Sequence, residues 1–351
     1  MCRLLAFVYM HQKCSVKWNN RVSPQFSVKN GVKQGGVLSP LLFNVYVDTL
    51  LMNLSKSRLG CHIGDTFTGA FAYADDIILL SPSRQSMSQM LKICESFSEE
   101  YSIIFNANKS KLLVFGTNEG GFKPLTMQSK EIPITVSEKH LGNYIGENAQ
   151  ENQVEMSIRE LYSSANLLIA QFHSANTDVK YRLLKTFCMS LYGSPIWNFE
   201  NMKLIQRFLI AWRKCLKRLL DISMRTHTAY LYCIVNDNPV ENQLHKRFIK
   251  FFRGCTDGNS YTRLCVQLVS SGSQSNICNS VNHITHLYGL NRSDFTRYTD
   301  QELLPMLSTE FPSEVVQHVA LITDFLDFRS SNKELYRELS DILNYLCEMN
   351  V

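Results

Sequence analysis

The sequence lacks any long hydrophobic run, any strong charge imbalance and any cysteine pair with zinc-site spacing. No segment of the 351 residues approaches the roughly 20 consecutive apolar residues that a transmembrane helix needs, so no membrane partner is predicted. The formal net charge is only +5, which by itself does not argue for nucleic acid. The 11 cysteines include no C-x-x-C pair, and their odd number favours free thiols in a reducing, intracellular compartment.

The composition that is present is that of an ordinary globular protein. It is 45% hydrophobic and 19% charged, and the length suggests two domains or three subdomains. Strand-like and helix-like segments alternate up to about residue 147, and nearly all later segments have helical periodicity. We therefore predict an α+β fold, in which an antiparallel sheet with helices on one face precedes a mostly helical part. The predicted regions are 1–147, 148–253 and 254–351.

Two adjacent acidic residues, Asp75 and Asp76, stand inside the otherwise apolar stretch FAYADDIILL, residues 71–80. The aromatic and β-branched flanks predict two short strands that form a hairpin with the carboxylates at its tip. Burial of unpaired carboxylates costs several kcal/mol, and a cation such as Mg²⁺ removes that cost. Two interpretations follow. One is a buried metal site, which the apolar flanks favour, and the other is an exposed turn that needs no metal.

A glycine-bearing loop, GVKQGGVLSP at residues 31–40, precedes the next predicted helix. Gly35 and Gly36 allow close approach of the backbone to a ligand, and we expect Ser39 to cap the helix with Pro40 as its first residue. Such a loop suits a phosphate or a nucleotide, because free amides meet the positive end of the helix dipole there. A loop-to-helix junction without a ligand is the alternative.

The predicted helix over residues 202–220 is the most basic feature of the chain. Its apolar stripe leaves an outer face that carries Arg207, Lys214 and Arg218. This face is either a solvated side of an amphipathic helix or a stripe that follows a nucleic-acid backbone. The segment HKRFIKFFR, residues 245–253, mixes basic and aromatic residues in the same way and leaves the same two interpretations open.

Four segments, in this order, resemble successive palm motifs of reverse transcriptases, in particular those of non-LTR (LINE-type) retrotransposons. The segments are GVKQGGVLSPLLFNVYVDTLL, FAYADDIILLSPS, FNANKSKLLVFG and HLGNYIG. The resemblance covers about residues 4–147, and YGSPIW and AWRKCLKRLL resemble more loosely the thumb of that group. It implies a partial polymerase palm, a helical thumb-like region over 148–253 and a mostly helical C-terminal region.

The resemblance implies an RNA-directed DNA polymerase that takes an RNA template, a DNA primer and deoxynucleoside triphosphates, with two Mg²⁺ ions in an intact site. Asp75 would bind the metal directly and Asp76 would assist at the same centre. Lys109 would face the triphosphate and protonate the departing pyrophosphate. The other implied contacts are Gln34, Gly35 and Gly36 at the nascent base pair, Tyr73 under the primer end, Asn106 in its turn, and Leu141 and Gly142 in the primer-gripping hairpin.

The sequence departs from the family at one point that matters for catalysis. The palm needs a further metal-binding aspartate on a strand before the QGG loop, and the matching position lies before residue 1. Neither Asp48 nor Asp65 occupies that place. We therefore expect an N-terminally truncated domain whose nucleotide transfer is absent or very weak. The alternatives are a non-catalytic nucleic-acid-binding module or inert retrotransposon relic, and an intron-encoded maturase-type reverse transcriptase. Family analogy places an active protein in the nucleus.

Overall fold

The computed structural model describes residues 2–28, 31, 33, 35–116, 123–270, 275–298, 302 and 305–307. Helices combined with short antiparallel strand pairs confirm the predicted α+β class. Contacts separate the chain into two compact units, Met1–Leu112 with Thr117–Ile134 and Leu113–Gly116 with Thr135–Val351. The functional regions bounded at 147 and 253 stay a prediction, and the predicted helices of the tail beyond residue 307 lie outside the described residues.

The first unit combines three helices with short strands that pair two by two. The antiparallel pairs are β1–β4, β2–β3, β5–β6, β7–β8 and β9–β10, so the strands form separate ladders in place of the one sheet that was predicted. Leu112 and Ile134 form an isolated parallel bridge. The elements are α1 (Cys2–Met10), β1 (Lys13–Cys14), β2 (Lys17–Trp18), β3 (Arg21–Val22), β4 (Phe26–Ser27), α2 (Ser39–Lys56), β5 (His62–Ile63), β6 (Thr66–Phe67), β7 (Ala70–Tyr73), β8 (Asp76–Leu79), α3 (Arg84–Tyr101), β9 (Thr126–Met127) and β10 (Lys130–Glu131).

The second unit is one strand pair followed by helices. Its elements are β11 (Ser137–His140), β12 (Asn143–Gly146), α4 (Ala149–Gln171), α5 (Thr177–Cys188), a 3₁₀ turn (Ser194–Ile196), α6 (Met202–Leu220), α7 (Thr228–Ile234), α8 (Val240–Asp257), α9 (Ser260–Ser270), α10 (Asn276–Tyr288) and α11 (Asp294–Arg297). Helix α6 packs on α4 and buries its apolar stripe, including Phe208, Trp212 and Leu216, in the main core. In the part of the chain that the structure describes, no helix is long and apolar enough to cross a membrane.

A small core in the first unit fixes the base of the β7–β8 hairpin. Leu50 and Leu54 of α2 and Met90 of α3 are fully buried in this core, and Ile77 and Leu79 of β8 pack against it. The backbone amide of Leu80 donates to the Gly69 carbonyl at 2.7 Å, and the Cys61 amide donates to the Leu80 carbonyl at 3.0 Å. The hairpin is therefore held at its base by both packing and hydrogen bonds.

The start of α2 differs from the prediction. The N-cap is Leu38, which has helical backbone angles and makes no side-chain capping bond, and Ser39 is already the first helical residue. The Ser39 hydroxyl donates instead to the Lys33 carbonyl at 2.5 Å. This bond closes the glycine-bearing loop onto the helix, so Ser39 fixes the loop and does not cap free amides.

Part of the basic and aromatic segment at residues 245–253 faces inward, although Lys250 is exposed. The Arg247 guanidinium donates to the Ser190 carbonyl at 3.1 Å, and the Arg253 guanidinium donates to the Phe295 carbonyl at 3.0 Å. His245 is buried, with Nδ1 2.9 Å from the Tyr288 hydroxyl. The guanidinium groups of Arg247 and Arg253 thus satisfy backbone carbonyls of neighbouring segments. The nucleic-acid interpretation of the whole segment stays a prediction.

The buried His245 side chain should make the second unit sensitive to acid. Burial, followed by the charge of His283, lowers the pKa of His245 from 6.5 to about 3. Because the unfolded chain binds the proton first, stability is lost as the pH falls from about 6.5 towards 3. We expect the urea midpoint of the wild-type chain to fall more steeply between pH 7 and pH 4 than that of His245→Gln. Equal slopes for the two proteins would contradict the assignment.

Candidate functional site

The adjacent aspartates lie at the tip of a hairpin, as the sequence predicts. Strands β7 and β8 pair antiparallel with Tyr73 opposite Asp76, so Ala74 and Asp75 form the two-residue loop. Ala74 has φ of 50°, a left-handed conformation that costs a non-glycine residue roughly 1 kcal/mol or more. Packing below the tip compensates this cost, because Ile77 of the same hairpin lies against the core of α2 and α3.

The prediction that the acid pair is buried is wrong, because Asp75 and Asp76 are both exposed. Side chains alternate along a strand, and it is Ile77 and Leu79 that face the core. The apolar flanks of the motif therefore bury the hairpin below its tip and leave the carboxylates in solvent. Tyr73, which precedes the loop, is also 67% exposed.

The carboxylate oxygens at this tip are chemically suited to bind a magnesium ion, but they supply only part of its coordination shell. Mg²⁺ prefers oxygen ligands and is commonly held by one or two carboxylates together with substrate phosphates. Asp75 and Asp76 provide such a pair, and their exposure leaves room for a phosphate-bearing ligand. Within the described ranges no three His, Cys, Asp or Glu side chains come together as a metal-binding group. Asp48 and Asp65 therefore do not complete the set.

The turn that carries Lys109 is rigid and outward-facing. The Asn106 side-chain oxygen accepts from the backbone amides of Asn108 at 3.1 Å and Lys109 at 3.2 Å. Ser110 closes the turn with a hydroxyl bond of 3.0 Å to the Asn106 carbonyl, and Ala107 is buried beneath it. Asn106 shapes this turn, as the resemblance implies, and the Lys109 side chain is exposed.

The glycine-bearing loop lies beside a cavity in the first unit. Gly36 is tightly placed, since an added Cβ would lie 2.6 Å from the Ser39 hydroxyl, and Gly35 has φ of +76°. Gln34 lies outside the described residues. The cavity has a volume of about 360 Å³ and is lined by Leu5, Val8, Tyr9, Gln12, Lys33, Gly36, Val37 and Leu38.

The remaining predicted site residues lie in the second unit. Leu141 and Gly142 form the two-residue loop between β11 and β12, with φ of 46° and 82°. On α6, Lys214 and Arg218 are exposed and have no ion pair among the described residues. Arg207 is different, because it pairs with Glu155 of α4 at 2.8 Å. The hydrogen bond and charge of Arg207 lower the pKa of Glu155.

Comparison with known proteins shows what the first part of the chain is similar to. The family model for reverse transcriptase (RNA-dependent DNA polymerase) matches residues 2–153. This range contains the acid-tipped hairpin, the glycine-bearing loop, the Asn106 turn and the β11–β12 hairpin. Residues 2–153 are related to the reverse transcriptases of non-LTR retrotransposons. The predicted resemblance is thereby confirmed.

Three curated relatives match parts of the chain. The Pol polyprotein of the type-2 retrotransposable element R2DM of Drosophila melanogaster is 38% identical over 87 residues, 25% of this chain and 8% of that protein. The Pol polyprotein of a type-1 element R2 of Popillia japonica is 30% identical over 128 residues, covering 34% of this chain and 18% of that protein. A 149 kDa protein of the transposon TX1 of Xenopus laevis is 26% identical over 225 residues, covering 62% and 16%. The matches thus span less than a fifth of each relative.

Sequence reasoning missed two residues that contact the β11–β12 hairpin, Gln153 and Tyr192. Gln153 is 3% exposed and bonds both the Tyr144 amide and the Tyr192 carbonyl. Tyr192 lies over Gly142 at the tip of the β11–β12 hairpin. The available signal was the glycine after Tyr192 in YGSPIW. The hairpin residues that Tyr192 and this glycine contact lie about 50 positions earlier, and periodicity does not reveal such distant pairs.

Proposed function

We propose that this chain supplies the catalytic hairpin and a thumb-like nucleic-acid surface of an RNA-directed DNA polymerase. The observation that carries the proposal is the paired carboxylate tip of β7–β8 inside the region related to reverse transcriptases. The substrates would be a DNA primer, an RNA template and deoxynucleoside triphosphates. The exposure of Asp75, Asp76 and Tyr73 on one hairpin supports this proposal, because polymer and nucleotide must both reach the reacting groups.

Each exposed group has a role in this chemistry that its position allows. Asp75 and Asp76 would hold Mg²⁺, which when bound would lower the pKa of the primer hydroxyl and neutralise the triphosphate. Tyr73 would support the primer end beside the carboxylates. Lys109, on its fixed turn, would hold a proton and deliver it to the leaving pyrophosphate oxygen. Gly36 would let the backbone approach the nascent base pair, because it carries no side chain.

We further propose that the chain alone transfers nucleotides very weakly or not at all. Two-metal sites clamp the attacking and leaving oxygens from more than one side. The described residues supply two neighbouring carboxylates on one hairpin and no third metal-binding side chain with them. A reacting triphosphate would therefore be held on one side only.

Primer extension tests the proposal directly. The full chain, Asp75→Asn and Lys109→Ala should be incubated with an oligo(dT) primer on poly(rA), Mg²⁺ and dTTP, beside a binding assay on the same hybrid. We expect hybrid binding by all three proteins and no extension above the Asp75→Asn background. Extension that Asp75→Asn abolishes would overturn the proposed inactivity. Failure of the wild-type chain to bind the hybrid would overturn the polymerase role.

A second candidate function, nucleic-acid binding without catalysis, is favoured by the outer face of α6. This helix has six basic and no acidic residues, and Lys214 and Arg218 are exposed without an ion pair in the described part of the chain. Such cations release counterions from a phosphate backbone, so affinity depends steeply on salt.

Salt titration of hybrid affinity should separate the cations of this face. Lys214→Ala and Arg218→Ala should each reduce the slope of log affinity against log salt by about 1, the value for one lost phosphate contact. Arg207→Ala should reduce it less, because Glu155 already pairs with Arg207. A slope that no substitution changes would count against the α6 surface.

A further inference from the structure

The tip of the β11–β12 hairpin has an unusual backbone that an aromatic ring covers. Leu141 and Gly142 both have positive φ, and a leucine in this conformation persists only where its surroundings hold it. An added Cβ on Gly142 would lie 3.0 Å from both Cδ1 and Cε1 of Tyr192. The ring of Tyr192 therefore rests directly on the bare backbone of the glycine.

A buried amide fixes the backbone of Tyr192 relative to this hairpin. The side-chain oxygen of Gln153 accepts from the Tyr144 amide at 3.2 Å, and its nitrogen donates to the Tyr192 carbonyl at 3.1 Å. Gln153 is 3% exposed, so both bonds are shielded from water. One side chain of α4 thus ties strand β12 to the segment that carries Tyr192.

The segment on either side of Tyr192 is fixed as well. The Arg247 guanidinium donates to the carbonyls of Met189 and Ser190. Gly193 has φ of +87°, and an added Cβ there would lie 2.1 Å from the Asn143 side-chain oxygen. The backbone position of Tyr192 is therefore determined by contacts of the residues before and after it, and not by packing of its own ring.

Despite this fixed backbone, Tyr192 is 65% exposed. A core aromatic would bury most of its surface, since a ring of this size gains much of its stabilisation from burial. The ring instead covers one glycine and presents the rest of its surface to solvent. Such an arrangement is suited to a flat partner that stacks on the ring.

Charge on the same hairpin indicates which flat partner fits. Lys139 lies in the second ladder pair from the hairpin tip, opposite Tyr144, and is exposed. Its ammonium is 3.1 Å from the Met156 thioether, and no carboxylate pairs with it among the described residues. An exposed cation without a carboxylate partner in the described part of the chain, on the hairpin whose tip the ring covers, complements a chain with flat bases and a negative backbone.

We propose that Tyr192 is a stacking platform for a nucleic-acid base, seated on Gly142 and oriented by Gln153. The inference rests on the proposed function, since it takes the bound strand to be the primer of that reaction. Tyr192 would contact the strand directly, whereas Gln153 is a positioning residue. Lys139 would meet a phosphate of the same strand. The contribution of the ring is sequence-tolerant, because every base has a π-face.

The test measures binding of a DNA primer on an RNA template, with 2-aminopurine placed in turn at each of the last six primer positions. We expect quenching at one or two positions in the wild-type chain, together with a five- to hundredfold loss of affinity in Tyr192→Leu, the range that stacking of one base gives. Tyr192→Phe should keep both signals, because it keeps the ring. The salt slope should be unchanged in Tyr192→Leu, because the ring carries no charge.

Matched controls separate the possible outcomes. Tyr261→Leu removes a tyrosine of the same unit that is 44% exposed on α9, and it should change neither affinity nor quenching. Gln153→Leu should weaken binding in the wild-type background but add little to Tyr192→Leu. If the wild-type chain binds the hybrid and Tyr192→Leu binds it equally, the platform is overturned while the proposed function stands. If the wild-type chain binds no hybrid, the proposed function itself fails.

Discussion

Replacing Gly146 by alanine should destabilise the second unit by roughly 3–5 kcal/mol, the sum of a strained backbone and a forced overlap. Gly146 ends β12 opposite Ser137 and has φ of +110°. An added Cβ would lie 2.2 Å from the Val136 carbonyl oxygen and 2.9 Å from the Ser137 Cα. Both atoms belong to the backbone, so no side-chain rotation can relieve the overlap.

The overlap would also disturb a hydrogen bond that closes the β11–β12 hairpin. The Val136 carbonyl accepts from the Glu147 amide at 2.8 Å, and displacement of this carbonyl would weaken that bond. Gly289→Ala is the matched control, because Gly289 also has positive φ but an added Cβ would meet no atom within 4 Å. We expect the control to cost about 1 kcal/mol, the backbone strain alone. Similar urea midpoints for the two variants would contradict the role of the overlap.

Trp212→Ala should cost about 3–5 kcal/mol, which is the usual range for removing a large aromatic side chain from a core. Trp212 is 1% exposed in the middle of α6, and this helix packs on α4 in the main core. The cavity left behind would be surrounded by well-packed neighbours that relax only in part. The expected observation is a lower urea midpoint with an unchanged denaturant slope.

Ile210→Ala on the same helix is the control for Trp212→Ala. Ile210 is 48% exposed and lies on the outer face with the basic residues. Its removal should change stability by less than about 1 kcal/mol. A loss as large as that of Trp212→Ala would mean that the outer face of α6 is covered, which would also contradict its assignment as a nucleic-acid surface.

Local patterns predicted the hairpins well, because their determinants are close in sequence. The aromatic and β-branched flanks of Asp75 and Asp76 indicated two strands and a tip, and the structure has them. Burial of the tip was predicted wrongly, because the pattern shows which residues are apolar but not which of them meet α2 and α3.

Long-range contacts could not be read from the sequence. The basic character of Arg247 and Arg253 suggested phosphate contacts, whereas both guanidinium groups satisfy carbonyls 42 to 58 positions away. The bridge from Gln153 to Tyr192 spans 39 positions. Such partners are chosen by tertiary packing, which neither composition nor periodicity specifies. The roles of the individual site residues remain predictions of the resemblance.

The metal-holding role of the acid-tipped hairpin is tested most directly by measuring Mn²⁺ binding with electron paramagnetic resonance. The sample is the full chain with primer–template and a deoxynucleoside triphosphate. Asp65→Asn is the control, because exposed Asp65 lies in another two-residue hairpin loop of the same unit, between β5 and β6. We predict that Asp75→Asn weakens Mn²⁺ binding by about tenfold or more, at least the effect of a lost supporting contact, and that Asp65→Asn leaves it unchanged. Equal Mn²⁺ affinity in the wild-type chain and Asp75→Asn would contradict the account.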